Sequence, residues 1–263
     1  MNFDQRQYAV YAAGRALLTD TVAMWADAFA RHAPPARPLA VLDLGSGTGR
    51  FSPVLAERFG GPVFGVEPHD RMRAAAEADA THPDVTYLAG SAEGLPLPDA
   101  SCDLVLLYLV WHHVVDRVAA VAEIARVLRP GGRVLLRGAF RDRMPELPWH
   151  GWFPGARAIE QEVFPALGDV TAEFGAAGLR RVVLERLRQC VAPNLAAYAE
   201  RLRLRPYSTF EHMTAEETRA GFAALDADLA DDEGAQPVGE DCDLLVLERA
   251  GGGPFTRSTG AVA

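Results

Sequence analysis

The sequence predicts an α/β protein built on a doubly wound, mostly parallel sheet, and three observations support this. Apolar segments of strand length alternate along the chain with segments of helical periodicity. The apolar segments are continuous rather than alternating, which is typical of strands covered by helices on both faces. The first of them, 39–43, leads through glycines at 45, 47 and 49 into a helical pattern, and such strand–turn–helix units build parallel sheets.

Local signals place the individual elements. Apolar residues spaced by three to four mark the helices, and Pro-Pro at 34–35, Gly-Gly at 60–61 and Pro-Gly-Gly at 130–132 mark helix ends. Helices are predicted at 3–33, 49–59, 69–80, 116–128 and 170–177, and strands at 39–43, 63–67, 85–89, 103–109, 133–138, 182–190 and 244–247.

The alternation of strands and helices is interrupted twice, by 141–168 and by 193–235. Both segments follow core strands, so we expect them at the carboxyl edge of the sheet as cap insertions after strands five and six. The N-terminal segment 1–38 is expected to complete this cap. The core is then 39–140 with 169–192 and the last strand region 236–250, and 251–263 is predicted to be a disordered tail.

Composition narrows the possible chemistry. All 26 basic residues are arginine, and the absence of lysine excludes Schiff-base chemistry and a P-loop. The net charge of −9 argues against non-specific nucleic-acid binding, although 129–205 is locally basic, with 13 arginines against 8 acidic residues. The three cysteines, at 102, 190 and 242, fit neither a zinc site nor a disulfide framework, so no metal site is predicted.

The sequence also contains no apolar segment typical of a membrane span or a signal peptide. No apolar run approaches the roughly 20 residues that cross a bilayer, and MNFDQRQY at the start lacks the apolar segment of a signal peptide. A cytoplasmic protein with no membrane partner is therefore expected.

The segment VLDLGSGTGR, 41–50, carries the strongest functional signal. Its glycines permit a sharp turn and a close approach of the backbone to a ligand, and the following helix offers unpaired N–H groups. The dinucleotide fingerprint places a third glycine where Arg50 stands here. The motif therefore predicts a nucleotide-like cofactor other than NAD or FAD.

Three further segments, VFGVEPHDRM, GSAEGLPLPDASCDLV and EIARVLRPGGRVLL, follow in order. Together the four segments, spanning 39–138, resemble the class I S-adenosylmethionine-dependent methyltransferases, in particular the small-molecule group with the methyltransferase 11 domain. The resemblance implies a Rossmann-like sheet of seven strands, S-adenosylmethionine as cofactor with S-adenosylhomocysteine as product, and methyl transfer as the activity.

The resemblance also implies roles for individual residues. Asp43 would accept from the ligand's ammonium, Glu67 would accept from both ribose hydroxyls, and the turn after strand three would hold the adenine edge. In the N-terminal helix, Arg15 would pair with the ligand's carboxylate. The expected cofactor-binding residues are Tyr11, Arg15, Asp43, Gly45, Ser46, Gly47, Glu67, Pro68, Met72, Ser91, Ala92, Glu93 and Leu107.

Catalytic and substrate-binding residues are less well marked by the sequence. His112 follows strand four and is a candidate general base, with a packing role as the alternative. Aromatic and polar residues of the cap, and one at the end of strand four, are candidates to contact the substrate, the alternative being that they pack the cap's own core. These residues are Tyr108, Trp149, Trp152, Tyr207 and His212.

Three functions remain open at this point. The first is a methyltransferase that acts on an O, N or C atom of a small molecule, in the biosynthesis of a specialised metabolite. The second is an RNA-modifying methyltransferase, which the basic stretch would serve. The third is a member that binds cofactor or a partner without catalysis. The sequence does not identify the acceptor or the oligomeric state.

Overall fold

The predicted strands form one seven-stranded sheet in the computed structural model, which describes residues 17–232, 234 and 236–251. The strand order is β3-β2-β1-β4-β5-β7-β6. β1 to β5 run parallel, whereas β7 pairs antiparallel with both of its neighbours. The strands are β1 Val41–Leu44, β2 Val63–Glu67, β3 Val85–Ala89, β4 Cys102–Tyr108, β5 Leu128–Gly138, β6 Leu179–Ala192 and β7 Val238–Arg249. This topology confirms the predicted fold class.

Helices cover both faces of the sheet. They are α1 Thr19–His32, α2 Ser52–Phe59, α3 Asp70–Asp79, α4 Arg117–Val127, α5 Ala156–Val163, α6 Leu167–Ala176, α7 Leu195–Arg203 and α8 Ala215–Asp231, with short 3-10 helices at Trp111–His113, Pro148–Gly151 and Ser208–His212. Side-chain caps start several of them, because the first N–H groups of a helix lack partners. Asp116 accepts from Ala119 N, and Thr214 and Glu217 form a reciprocal capping box.

The sheet separates two hydrophobic cores. Val105 and Leu107 of β4 pack on the face covered by α4 and α6, and Leu104 and Leu106 pack on the face covered by α1 and α2. Successive side chains of a strand point to opposite faces, so a strand buried on both faces must be apolar throughout. This is why the continuous apolar segments in the sequence locate the strands correctly.

The two insertions pack against each other in a third core. Trp149 and Phe153 from the first insertion contact Phe210 from the second, at ring-centroid distances of 5.2 Å in both cases. The cap is therefore one folded layer. The first insertion is less irregular than expected, because it contains a 3-10 helix and α5.

Several boundaries differ from the sequence prediction: β5 begins at Leu128 instead of 133 and α1 begins only at Thr19. Three further differences have identifiable reasons. Helix α2 begins at Ser52 rather than at Gly49, because Gly49 has a φ of 79° that a right-handed helix cannot contain. Strand β7 extends well beyond the predicted 244–247, and β6 extends a few residues beyond 182–190, because their flanking residues include charged ones that pair across the ribbon, as Arg180 does with Glu248. The first sixteen residues, including Tyr11 and Arg15, lie outside the described residues. Within the described residues, no helix is both long and apolar enough to span a membrane.

Candidate functional site

The glycine turn after β1 is shaped by close packing on one side and open space on the other. Gly45 has a φ of 70°, and a Cβ there would lie 2.5 Å from a methyl group of Val110. Gly47 has a φ of 58°, and nothing lies within 4 Å of the position its Cβ would take. The turn thus needs glycine for its conformation, and at Gly47 it leaves room for a ligand to approach the backbone.

The end of β2 is bonded directly to this turn. Glu67 is 4% exposed; its Oε2 accepts from the Gly47 N–H at 3.0 Å and its Oε1 from the His69 N–H at 2.9 Å. The N–H groups of Gly45 and Ser46 both donate to the Val66 carbonyl. Each carboxylate oxygen of Glu67 keeps a second lone pair, so the side chain is oriented and still able to accept from a ligand hydroxyl.

Asp43 lies beneath the turn, at 3% exposure. Its Oδ2 accepts from the Ser52 hydroxyl at 2.7 Å. This bond connects the end of β1 to the first turn of α2. Burial raises the pKa of Asp43 to about 6, the Ser52 bond opposes this rise, and the charge of Glu67 adds to it. A cationic ligand group beside Asp43 would lower this pKa again, so that the carboxyl group would be charged when the ligand is bound.

A cleft continues from the glycine turn along the carboxyl edge of the sheet. Predicted and unpredicted residues share its lining: Leu44, Gly45, Pro68, Ser91, Ala92, Glu93, Val110, His113 and Val114. The sequence analysis predicted neither Leu44 nor the last three, which belong to the loop after β4. The position of this loop in the chain could have predicted its role. All parallel strands end at the same edge of the sheet, so the loop after β4 must lie beside the glycine turn.

Other predicted cofactor residues lie near the cleft or in the core. The Ser46 hydroxyl is buried and has no hydrogen-bond partner in the described part of the chain. Met72 is buried on α3 and Leu107 is buried in the sheet, and neither lines the cleft. Glu93 lines the cleft while its Oε1 accepts from the N–H groups of Val115 and Asp116, at 3.3 and 3.4 Å.

A second cavity, of about 100 Å³, lies between the end of the sheet and the cap. The loop after β4 separates it from the cleft: Leu109 and His112 line this cavity, and Val110 and His113 line the cleft. A single loop therefore connects the predicted cofactor site to a space for a second molecule. The polar residues that line the cavity are His112, Arg137, Glu160, Tyr207, Ser208, Thr209, Glu240, Asp241, Cys242 and Asp243.

Of the predicted catalytic and substrate residues, two line the cavity. His112 packs its ring 4.7 Å from that of Phe164, and Tyr207 stacks on Trp149 at 4.9 Å. Trp149 itself is fully buried in the cap core, in accordance with the packing alternative. Trp152 donates to Asp228 at 2.7 Å. Neither tryptophan lines the cavity, and nor do Tyr108 or His212.

A buried ion pair that the sequence analysis missed forms part of the cavity wall. Arg137 lies on β5 at 7% exposure, 3.6 Å from Glu240 and 2.9 Å from the Cys242 sulfur. Its guanidinium also lies 5.3 Å from the ring centre of Tyr108, and burial raises the pKa of that phenol. The available signal was an arginine inside an otherwise apolar strand, since a buried charge is retained only where it is paired or used.

Comparison with known proteins agrees with this geometry. A family model described as a methyltransferase domain matches residues 42–136. The chain is 45% identical over 108 residues to an uncharacterized methyltransferase of Mycobacterium tuberculosis, covering 41% of this chain and 43% of that protein. It is 35% identical over 122 residues to a ubiquinone/menaquinone biosynthesis C-methyltransferase of Caulobacter vibrioides, covering 43% and 48% respectively. Among solved structures, a protein from an antibiotic biosynthesis pathway of Anabaena variabilis shares the fold at a TM-score of 0.66 and 23% identity, over 85% of this chain and 96% of the other.

A doubly wound sheet with a glycine turn after its first strand and a carboxylate at the end of its second defines an α/β protein that binds a nucleotide-like cofactor. Residues 42–136 match a methyltransferase domain, and the relatives and the shared fold support a class I S-adenosylmethionine-dependent methyltransferase. This confirms the resemblance found in the four sequence segments. The alignments span less than half the length of the two curated relatives.

Proposed function

We propose that this protein transfers a methyl group from S-adenosylmethionine to an O, N or C atom of a small-molecule acceptor. The observation that carries the proposal is the hydrogen-bonded unit formed by the Gly47 backbone and the Glu67 carboxylate at the edge where β1 and β2 end. When bound, S-adenosylmethionine supplies an electrophilic methyl group on a sulfonium and leaves as the thioether S-adenosylhomocysteine.

The residues around the turn fit that cofactor. Glu67 offers acceptor lone pairs to the ribose hydroxyls, and the buried Asp43 offers a carboxylate to the ammonium. The Ser46 hydroxyl lacks a partner in the described residues, and a buried polar group without one is costly until something bonds it. Pro68, Ser91 and Ala92 line the part of the cleft that would receive the adenine.

The second cavity supports a small acceptor. It lies beyond the loop that carries His112, and the cap covers it with Tyr207, Thr209 and Phe164. Orientation of two bound reactants is potentially worth about 7–11 kcal/mol of the barrier. The protein's main contribution would therefore be to hold the acceptor against the cofactor, with His112 as a candidate base.

The basic stretch gives little support to RNA as the acceptor, because six of its 13 arginines are paired with acidic residues of the C-terminal region. The pairs are Arg133 and Arg180 with Glu248, Arg143 and Arg186 with Asp243, Arg188 with Asp241, and Arg203 with Asp226. Counterion release requires arginines that are available to phosphates. The paired arginines instead balance the negative charges of acidic residues on the β6–β7 ribbon and in part of the cap.

Carbon methylation of a quinone is a second candidate, favoured by the similarity to the Caulobacter vibrioides C-methyltransferase. The family model ends at residue 136. Most of the second cavity is built from residues beyond that point, including Glu160, Thr209 and Glu240. The similarity therefore supports the cofactor chemistry more strongly than the choice of acceptor.

Isothermal titration of the full chain tests the cofactor. We expect heat on addition of S-adenosylhomocysteine and none on addition of NADH, because Arg50 replaces the glycine of the dinucleotide fingerprint. Binding of NADH without binding of S-adenosylhomocysteine would contradict the proposal. Release of S-adenosylhomocysteine from S-adenosylmethionine in the presence of candidate acceptors then separates an enzyme from a cofactor-binding member.

A further inference from the structure

Glu160 lies on α5, in the wall of the second cavity, and is 5% exposed. It belongs to none of the segments that match the methyltransferase domain. Two side chains from different parts of the cap bond it: His150 Nε2 lies 2.9 Å from Oε2, and the Thr209 hydroxyl donates to Oε1 at 3.3 Å. The carboxylate is thus held from two sides while it still faces the cavity.

The bond made by Nδ1 of His150 indicates which ring nitrogen carries the proton. Nδ1 accepts from the Leu147 N–H at 3.2 Å, so it must keep its lone pair. This hydrogen-bond pattern leaves Nε2 to carry the ring proton and to donate to Glu160. A proton on Nδ1 would place two donors against each other. Through this bond the histidine orients the carboxylate of Glu160.

No arginine of the described residues lies within ion-pair distance of Glu160. The cavity does contain other charged or titratable groups. Those that share its lining are His112, Arg137, Glu240, Asp241, Cys242 and Asp243, and α5 also packs against the 3-10 helix that carries Glu211 and His212. Arg137 is paired with Glu240, and Asp243 with Arg143 and Arg186. Each oxygen of Glu160 uses one lone pair in the bonds to His150 and Thr209 and keeps another, so the carboxylate can also accept from a ligand donor in the cavity.

We propose that Glu160 binds the nucleophile of the acceptor, and that the acceptor is therefore a hydroxyl or amine compound that brings an O–H or N–H into the cavity. His150 and Thr209 are positioning residues for this carboxylate. For each methyl group received, the acceptor O or N gives one proton to Glu160, which takes the place of His112 as the base, and the acceptor's lone pair forms the new bond to the methyl carbon. The electron pair of the broken carbon–sulfur bond stays on sulfur. This inference rests on the proposed function and narrows its acceptor to O or N.

Matched pairs of small probes test the acceptor class. Catechol carries O–H groups that 1,2-dimethoxybenzene lacks, and benzylamine carries N–H groups that benzyltrimethylammonium lacks while keeping a positive charge. We expect the full chain to bind at least one donor probe tenfold or more tightly than its methylated partner, as a bond to a charged group predicts. Equal affinity within both pairs, or no binding of either donor probe, would overturn the inference.

Variants test whether Glu160 causes the preference for the donor probes over their methylated partners. Glu160→Gln should abolish it, whereas Glu162→Gln, an exposed change on the same helix, should preserve it. Thr209→Val should weaken the preference and Thr209→Ser should retain it, because only the hydroxyl is needed. A preference that persists in Glu160→Gln contradicts the assignment. Thermal melting shows whether each variant is folded.

A readout independent of ligands is the tautomer of His150, measured by ring ¹⁵N chemical shifts in the full chain between about pH 5.5 and 8. We expect the ring proton to lie on Nε2, because Nδ1 accepts from the Leu147 N–H, and a proton on Nδ1 would overturn the argument. Probe titrations are run with and without S-adenosylhomocysteine. Failure of S-adenosylhomocysteine to bind contradicts the proposed function, whereas loss of probe preference with intact S-adenosylhomocysteine binding contradicts only the role of Glu160.

Discussion

The Gly47 N–H donates to Glu67 Oε2 at 3.0 Å, so the turn after β1 and the end of β2 form one hydrogen-bonded unit. The bond connects residues 20 positions apart in the chain. It orients the carboxylate beside Gly47, a residue with no atom within 4 Å of the position that a Cβ would take. The predictions below depend on this unit and on the buried charges near it.

Replacing Glu67 with alanine should weaken S-adenosylhomocysteine binding by about 1–3 kcal/mol, because charge-assisted bonds to the ribose hydroxyls are lost. Titration calorimetry measures the change. Glu77→Ala, an exposed substitution on α3, is the control and should leave the affinity unaltered. Equal affinity of Glu67→Ala and the wild-type protein would remove Glu67 from the cofactor site.

Gly47→Ala and Gly60→Ala form a matched pair. Both glycines have positive φ, 58° and 68°, and neither has an atom within 4 Å of the position that an alanine methyl group would take. Each substitution should lower the free energy of unfolding by about 1–2 kcal/mol, since L-residues are strained in this region. Only Gly47→Ala should also weaken cofactor binding, because only that methyl group is added next to the N–H that bonds Glu67. Similar affinities of the two variants would show that no ligand approaches Gly47.

Asp43 should make stability depend on pH. Its pKa rises from an ordinary 3.8 to about 6 on folding, so between these values the folded state binds more protons than the unfolded state. The free energy of unfolding should therefore fall as the pH rises from about 4 to 6, by about 3 kcal/mol in total.

The isosteric Asp43→Asn keeps an oxygen for the Ser52 hydroxyl and removes the titration. Urea denaturation at about pH 4.5 and about pH 7 should show a smaller loss of stability in this variant than in the wild-type protein. A loss of equal size in both proteins would assign the pH dependence to other groups.

Removing one member of the Arg137–Glu240 pair should destabilise the protein more than removing the charge of both members. Arg137→Met leaves Glu240 buried without its cation and should cost about 3–5 kcal/mol, whereas Arg137→Met with Glu240→Gln should recover part of this. Gln at 240 can still bond Gln189, which donates to Glu240 at 2.6 Å in the present structure. Urea denaturation measures the series, and a double variant no more stable than Arg137→Met would contradict this account of the pair.

Much of the core could be predicted from the sequence because its signals are local. A strand buried on both faces must be continuously apolar, and a sharp turn with positive φ requires glycine, so β1 to β4 and the turn at Gly45 and Gly47 are visible in the pattern. The carboxylate at Glu67 follows from its place at the end of β2. The ends of β6 and β7 were not visible, because charged residues that pair across strands have no distinctive pattern along the chain.

The sequence by itself determined the fold class, the methyltransferase resemblance and the residues of the glycine turn, because each depends on neighbours in the chain. Only the tertiary structure decided that Trp149 packs the cap core, that Arg137 and Glu240 pair in the cavity wall, and that Glu160 is held by His150 and Thr209. Thr209 lies 49 positions from Glu160. Contacts of that kind arise when separate insertions fold together, and nothing in the local sequence of either insertion specifies its partner.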